Sequence, residues 1–337
     1  MKFAVMGTGF WSHFQIPGWF EVGGVELVAL YNRTVSKAEQ VAAKFGVPRV
    51  YGDAEELLQK EELDFVDIIT EIDAHAPLVK LAAKYKVPVI CQKPMAPDLR
   101  TAEEMVEACR RAGVPFYIHE NWRWQAPMRA VKEVLDEGRI GRPFRARLDM
   151  ISGFPVFDNQ PLLRTLEHFI ITDLGSHIMD TARFLFGEAS SLYCQTRRIH
   201  ADIRGEDVAT IMMEMGGSTT VVCSLAYAGN ALENECFPQS FVFIEGEKGS
   251  LSLGPHYWLR VTTQEGTLSR QVKPPRYAWV DPAYEVVQAS IVPCNADLVR
   301  GLRGEKQAET TAEDNLKTVR LVFAAYEAAE GKRVVLF

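Results

Sequence analysis

Two segments far apart in the chain carry side chains able to manage a proton. The first is Cys91-Gln92-Lys93-Pro94-Met95, and the second is Thr172-Asp173-Leu174-Gly175-Ser176-His177-Ile178-Met179-Asp180. On a helix Asp173 and His177 stand at i and i+4 and share a face. A carboxylate there orients an imidazole and stabilises its protonated form, which suits a group taking a proton from an alcohol while hydride leaves the carbon. Gly175 costs helix stability, as expected where a ligand or backbone comes close. The alternative makes Asp173 an N-cap and His177 a packed core residue. A metal held by Asp173, His177 and Asp180 would lack Cys or further His ligands. Lys93 follows an apolar run, so it sits at the end of a strand. It either polarises or deprotonates a substrate oxygen, or is a solvated loop lysine. Pro94 holds that turn rigid, as a cis peptide bond would.

The first residues supply what such chemistry needs as a hydride carrier. The apolar run Phe3-Ala4-Val5-Met6 leads straight into Gly7-Thr8-Gly9-Phe10-Trp11-Ser12. This is most of the G-x-G-x-x-G pattern that sets a dinucleotide pyrophosphate on a helix N-terminus. Gly7 makes the tight turn, Gly9 lets the backbone approach the phosphates, and Ser12 replaces the third glycine with another small residue. The end of the second strand discriminates between dinucleotides. Here it reads Asn32-Arg33, with no carboxylate to repel a 2′-phosphate and with a cation to pair with one. NADP is therefore favoured over NAD, although polar residues simply leaving a buried strand would permit NAD.

Alternating elements position these residues. Strands at 25–31, 65–70, 87–91 and 114–118 alternate with helices at 36–45, 76–85 and 98–111, with Gly46 and Gly113 as stops. Strands apolar on both faces imply a doubly wound parallel sheet, whose ligands bind at the carboxyl ends of the strands. After about residue 140 the texture turns β-rich, at 144–151, 191–198, 208–215, 219–227, 241–245 and 250–253, with Gly216-Gly217 and 246–249 as turns. That predicts a mostly antiparallel sheet. One helix spans 173–186, and an amphipathic one spans 312–330 with Leu316, Val319, Val322 and Phe323 on one side. The expected fold is α/β: an N-terminal Rossmann domain at 1–120 and a C-terminal α+β domain at 121–337 with an open sheet, the last helix packing back toward the first domain.

The 337 residues carry a formal net charge of −7, with 47% hydrophobic and 24% charged residues. That balance argues against nucleic acid or an anionic membrane as partner. No apolar run is long enough to span a bilayer. The six cysteines form no C-x-x-C pair and read as reduced, buried thiols, hence a cytoplasmic protein.

Taken together these segments resemble the Gfo/Idh/MocA family of NAD(P)-dependent oxidoreductases. The resemblance spans essentially the whole chain. It runs from the Gly7/Gly9 turn through Gln92-Lys93-Pro94, Asn121-Trp122-Arg123-Trp124 and the stretch from Glu137 to Pro143. It continues through Asp173 to His177 and the C-terminal Glu330-Gly331-Lys332-Arg333-Val334. It implies sugars, polyols or related compounds as substrates, and places Lys93, Asp173 and His177 at the family's catalytic lysine, aspartate and histidine. It also sets Phe10, Trp11, Thr70, Glu71, His75 and Gln92 along the cofactor. Two departures stand out. Gln92 replaces the glutamate that usually precedes the lysine, and Thr70-Glu71-Ile72-Asp73-Ala74-His75 replaces an apolar-Thr-Pro pattern.

The expected reaction is hydride transfer between nicotinamide and a secondary alcohol or hemiacetal carbon. His177 takes or gives the proton, Asp173 holds its tautomer, and Lys93 positions the oxygen. Asn121, Arg123, Asn159, Arg164, His168 and Tyr277, with Asn295, are candidates for binding substrate hydroxyls, while Trp122 and Trp124 pack against a sugar face or fill the core. An uncovered sheet face suggests a homodimer or homotetramer. Two other classes share the fold: a glycoside hydrolase using transient oxidation, and a non-catalytic sensor, against which the joint presence of Lys93, Asp173 and His177 argues.

Overall fold

The structure, a computed structural model, describes residues 1–337 apart from the side chain of Asn159. The first stretch alternates β1 (Lys2–Met6), α1 (Ser12–Val22), β2 (Glu26–Tyr31), α2 (Val35–Phe45), β3 (Arg49–Tyr51), α3 (Ala54–Lys60), β4 (Phe65–Ile68), α4 (His75–Lys84), β5 (Val89–Gln92), α5 (Leu99–Ala112) and β6 (Phe116–His119). Next come α6 (Ala126–Asp136), β7 (Pro143–Ile151), the one-turn α7 (Val156–Asn159), a π turn at Ile171–Gly175 and α8 (Ser176–Phe186). Strands β8 (Ala189–Arg197), β9 (Val208–Met215), β10 (Thr219–Ala226), β11 (Phe241–Gly246), β12 (Gly249–Gly254), β13 (Trp258–Thr263) and β14 (Gly266–Gln271) follow. The short α9 (Glu285–Gln288), then α10 (Ile291–Leu302), α11 (Ala312–Gly331) and β15 (Val335–Leu336) complete the chain.

The chain divides into two compact units, Met1–Asn121 with Ile291–Val319, and Trp122–Ser290 with Arg320–Phe337. In the first, six parallel strands run in the order β3-β2-β1-β4-β5-β6. β1, β4, β5 and β6 are almost wholly buried, as strands covered by helices on both faces must be. The order reverses between β1 and β4, so the loops after Met6 and Ile68 flank the switch point where such sheets take ligands. Asp98 caps α5 by accepting from Thr101 N at 2.8 Å. α10 packs against α1, and a side chain on Gly18 would meet Ile291.

In the second unit nine strands run β14-β13-β12-β11-β7-β10-β9-β8-β15, with β7 and β10 parallel and every other pair antiparallel. The alternating burial of β9 shows one face packed and the other open. The open face exposes Met212 and Trp258 among charged residues.

Candidate active site

The Gly-rich turn sits where β1 ends. Gly7 has φ +108°, and a Cβ there would lie 2.2 Å from the Ile69 carbonyl oxygen, so glycine is required for β1 and the loop after β4 to approach. Its N–H donates to Tyr31 O at 2.8 Å. Nothing lies within 4 Å of a Cβ built on Gly9. Ser12 is fully buried and donates to Gly9 O at 2.7 Å, closing the turn onto α1. Among the described residues Thr8 Oγ1, Trp11 Nε1 and Thr70 Oγ1 are buried without a hydrogen-bond partner. Open space over Gly9, an α1 start without acidic side chains or a side-chain cap, and three orphaned polar atoms at the switch point fit a dinucleotide pyrophosphate and ribose.

Asn32 is bound locally: its Oδ1 accepts from Thr8 N at 3.4 Å and its Nδ2 donates to Thr34 O at 2.9 Å. It thereby ties the glycine turn to the end of β2. Arg33, Glu71 and Phe10 are exposed, and Phe10 packs edge-on against Phe14. His75 is buried, with Nδ1 3.1 Å from Pro94 O and Nε2 3.1 Å from Thr70 O. Burial lowers its pKa. A neutral ring donates to one of these loop carbonyls and lies against the other, so His75 sits between the loops after β4 and β5.

The Lys93–Pro94 peptide is cis. Beneath it lies a chain of buried polar groups. Asp67 on β4 is fully buried and accepts from Gln15 Nε2 at 2.9 and 2.8 Å and from Trp19 Nε1 at 2.6 Å. Gln15 Oε1 accepts from Gln92 Nε2, which also reaches His119 Nδ1 at 3.1 Å. His119 Nε2 lies 2.8 Å from Asn295 Oδ1 on α10, and Gln92 Oε1 accepts from Lys93 N at 3.2 Å. Desolvation pushes the Asp67 carboxyl up to about 7, against the lowering effect of Trp19 and Gln15.

In the second unit Asp173 lies within the π turn, and His177 is the second residue of α8. The sequence suggested one continuous helix across both. A π turn leaves backbone donors without helical partners, and they are met from outside. Ile171 N donates to Glu206 Oε1 at 3.2 Å, Thr172 N donates to Tyr326 Oη at 3.1 Å, and Tyr326 Oη donates to Glu206 Oε1 at 2.9 Å. His177 is buried and stacks on Trp122, with ring centroids 4.3 Å apart and planes at 23°. Trp122 Nε1 donates to Ser240 Oγ at 3.2 Å, fixing the indole.

The remaining candidates scatter. Asn121 is buried. Arg123 gives its fork to the buried Asp180, at 2.8 and 2.6 Å, and so anchors α8. Arg164 pairs with Asp202 and lies over the Phe157 ring at 4.9 Å. His168 stacks on Tyr326 at 4.0 Å, and Tyr277 stacks on Trp279 at 5.8 Å. Asn295 belongs to the buried chain beneath Lys93. The side chain of Asn159 lies outside the described residues. Sequence reasoning missed the Trp122 stack, the Glu206–Tyr326 brace and the Asp67–Gln15 pair. Of these only Asp67, a carboxylate inside the apolar run Phe65 to Ile69, announced itself in the sequence.

A family model described as oxidoreductase family, NAD-binding Rossmann fold, matches residues 1–120, and a model described as GFO/IDH/MocA C-terminal domain matches residues 128–252. The chain is 42% identical over 336 residues to a D-apiose dehydrogenase of Paraburkholderia graminis, spanning 99% of this chain and 89% of that one. It is 40% identical over 335 residues to a D-apiose dehydrogenase of Rhizobium rhizogenes, spanning 99% and 97%. An oxidoreductase from Agrobacterium radiobacter, solved in complex with NAD+, L-tartaric acid and magnesium, superposes with a TM-score of 0.97. It is 40% identical, and the match covers 100% of this chain and 98% of that one.

Proposed function

We propose that this chain, which belongs to the Gfo/Idh/MocA family of NAD(P)-dependent oxidoreductases, oxidises D-apiose or a closely related small aldose. The protein is an oxidoreductase acting on CH–OH groups of a sugar, polyol or related compound, with a nicotinamide dinucleotide held by its Rossmann unit. The observation that carries the finer reading is identity of 42% and 40% along essentially the whole chain to two D-apiose dehydrogenases.

When bound, the nicotinamide supplies the hydride acceptor. Gly7, Gly9 and the start of α1 would hold its pyrophosphate, with Thr8, Trp11 and Thr70 offering polar atoms. Lys93 donates a hydrogen bond to the reacting oxygen and favours its alkoxide character. His177 removes the hydroxyl proton, and Asp173 holds the imidazole for that transfer. The Trp122 face supports the imidazolium as it forms, since an aromatic face attracts a cation.

Within NAD(P), the preference for NADP rests on Asn32, which leaves no carboxylate to repel a 2′-phosphate, and on the exposed Arg33 beside it. The NAD+ held by the Agrobacterium radiobacter relative weighs toward NAD. The six free cysteines fit a cytoplasmic setting. The open face of the nine-stranded sheet fits pairing with a second copy of the chain, which light scattering on the purified protein reads directly.

The test is a panel of D-apiose, other aldoses and polyols with NAD+ and NADP+, followed by absorbance of the reduced nicotinamide. D-apiose should exceed the next sugar by about tenfold or more in kcat/KM. Equal rates across the panel, or turnover of a glycoside without net nicotinamide reduction, would overturn the assignment. In the same assay Arg33→Ala should raise the KM for NADP+ by about tenfold, the worth of one charge-assisted pair, and leave that for NAD+ within about twofold. Equal effects on both dinucleotides would remove Arg33 from the 2′-phosphate.

A further inference from the structure

We propose that Asp67 is a positioning residue for Lys93, acting through the side-chain amides of Gln15 and Gln92. The proposal rests on the role given to Lys93 above, and it is carried by the direction in which the buried hydrogen bonds run. Above about pH 7 the Asp67 carboxyl is ionised, and an ionised carboxylate only accepts. Asp67 therefore obliges Gln15 to face it with its NH2 group, which turns Gln15 Oε1 toward Gln92. That oxygen obliges Gln92 to answer with its own NH2 group. The second hydrogen of that group goes to His119 Nδ1, so His119 carries its proton on Nε2, where Asn295 Oδ1 accepts it. Gln92 Oε1 is left pointing the other way, onto the N–H of Lys93. Each amide has one orientation that leaves no donor facing a donor. Asp67, Gln15, Gln92, His119 and Asn295 are all at least nine-tenths buried, so water does not relax the constraint. A charge on β4 thus fixes the backbone from which the Lys93 side chain is aimed.

The chain has a polarity, and it can be reversed and restored. In Asp67→Asn, Trp19 Nε1 can only donate and so claims the amide oxygen. The new NH2 group then faces Gln15, which turns its oxygen to meet it. Gln15 next presents its NH2 group to Gln92, and Gln92 must turn its own oxygen away from Lys93 N. Adding Gln15→Glu to that variant puts an acceptor-only group between two donors, Asn at 67 and Gln92. The original orientation of Gln92 returns, with the same number of buried charges.

The experiment measures kcat and KM on the full-length protein at about pH 8, where Asp67 is ionised, with D-apiose and NAD(P)+. It also records the Lys93 amide resonance in protein labelled with 15N-lysine, assigned by its loss in Lys93→Met. Asp67→Asn should lower kcat by about 10- to 100-fold, as for a small misplacement of a reacting group, with KM within about threefold, and should move the Lys93 resonance. The double variant D67N/Q15E should bring both back to within about threefold of wild type or to its resonance position. A folded double variant that recovers neither, or a Lys93 resonance unmoved in D67N, overturns the proposal. If D67N does not fold, Gln15→Met cuts the relay and leaves the Asp67–Trp19 bond. It should show the same kcat loss and shifted resonance, and wild-type values for both would refute the relay. A resonance that moves and returns while kcat stays constant supports the positioning and removes Lys93 from the chemistry.

Discussion

His177→Asn should lower kcat on the sugar substrate by about a thousandfold while dinucleotide binding stays within about twofold. Loss of a positioned acid–base group costs roughly 10²- to 10⁴-fold. Asparagine keeps a polar side chain of similar reach but cannot take up a proton near neutral pH. The substitution also removes the ring that stacks on Trp122, though the indole keeps its bond to Ser240 and α8 keeps its anchor, the Arg123–Asp180 pair. Dinucleotide binding is spared because the proposed pyrophosphate contacts come from the glycine turn and the start of α1, which the substitution leaves intact. Lys93→Met should give a comparable loss for a different reason. It removes the cation proposed to act on the reacting oxygen but keeps the main-chain bond from residue 93 to Gln92 Oε1. Fluorescence titration with the reduced dinucleotide measures binding, and stopped-flow absorbance measures hydride transfer. Either variant turning over at more than about a tenth of the wild-type rate would remove that residue from the chemistry.

The parts of this molecule that the sequence exposes are those governed by local rules. Gly7 is legible because a positive φ at a strand end needs glycine, and Asp98 and Gly113 are legible because helix ends need caps. β1 and β5 announce themselves as apolar runs, and so does β4 apart from Asp67. β14 does not, because every residue in it is exposed and no alternation marks a buried face. α10 carries Pro293 in its first turn and Gly301 near its end, and so resembles a loop until the burial of Ile291, Cys294 and Leu298 is seen. The π turn is hidden for another reason. Its extra width is stabilised by Glu206 and Tyr326, which lie more than thirty and one hundred and fifty residues away. The same holds for the stack of Trp122 on His177 and for the chain from Asp67 to Asn295. Each member is an ordinary polar or aromatic residue in its own segment, and the meaning lies in partners that only the fold brings together.

Between about pH 4 and 7 the folded protein should lose stability that the Asp67→Asn variant does not lose. The Asp67 carboxyl stands at about 7 in the fold, because burial penalises its charge, against 3.8 in an open chain. Over that interval the unfolded chain has released this proton and the folded one still holds it. Fewer protons are bound on unfolding, so the free energy of unfolding falls as pH rises, and the group's contribution is complete below pH 4 and gone above pH 7. A difference of this size corresponds to about 4 kcal/mol across the window. It runs opposite to the carboxylates whose pKa is lowered by a partner, such as Glu61 beside Arg49, which favour the fold as pH rises. An asparagine at 67 has no proton to lose, so the stability of wild type relative to the variant should decline steadily from acid to neutral pH. Urea unfolding of the two proteins at several pH values, read by a signal from Trp19 in the first unit, measures that difference. A wild-type advantage that is flat, or that grows, between pH 4 and 7 would show that Asp67 keeps its charge in the fold, held by Gln15 and Trp19 against the cost of burial.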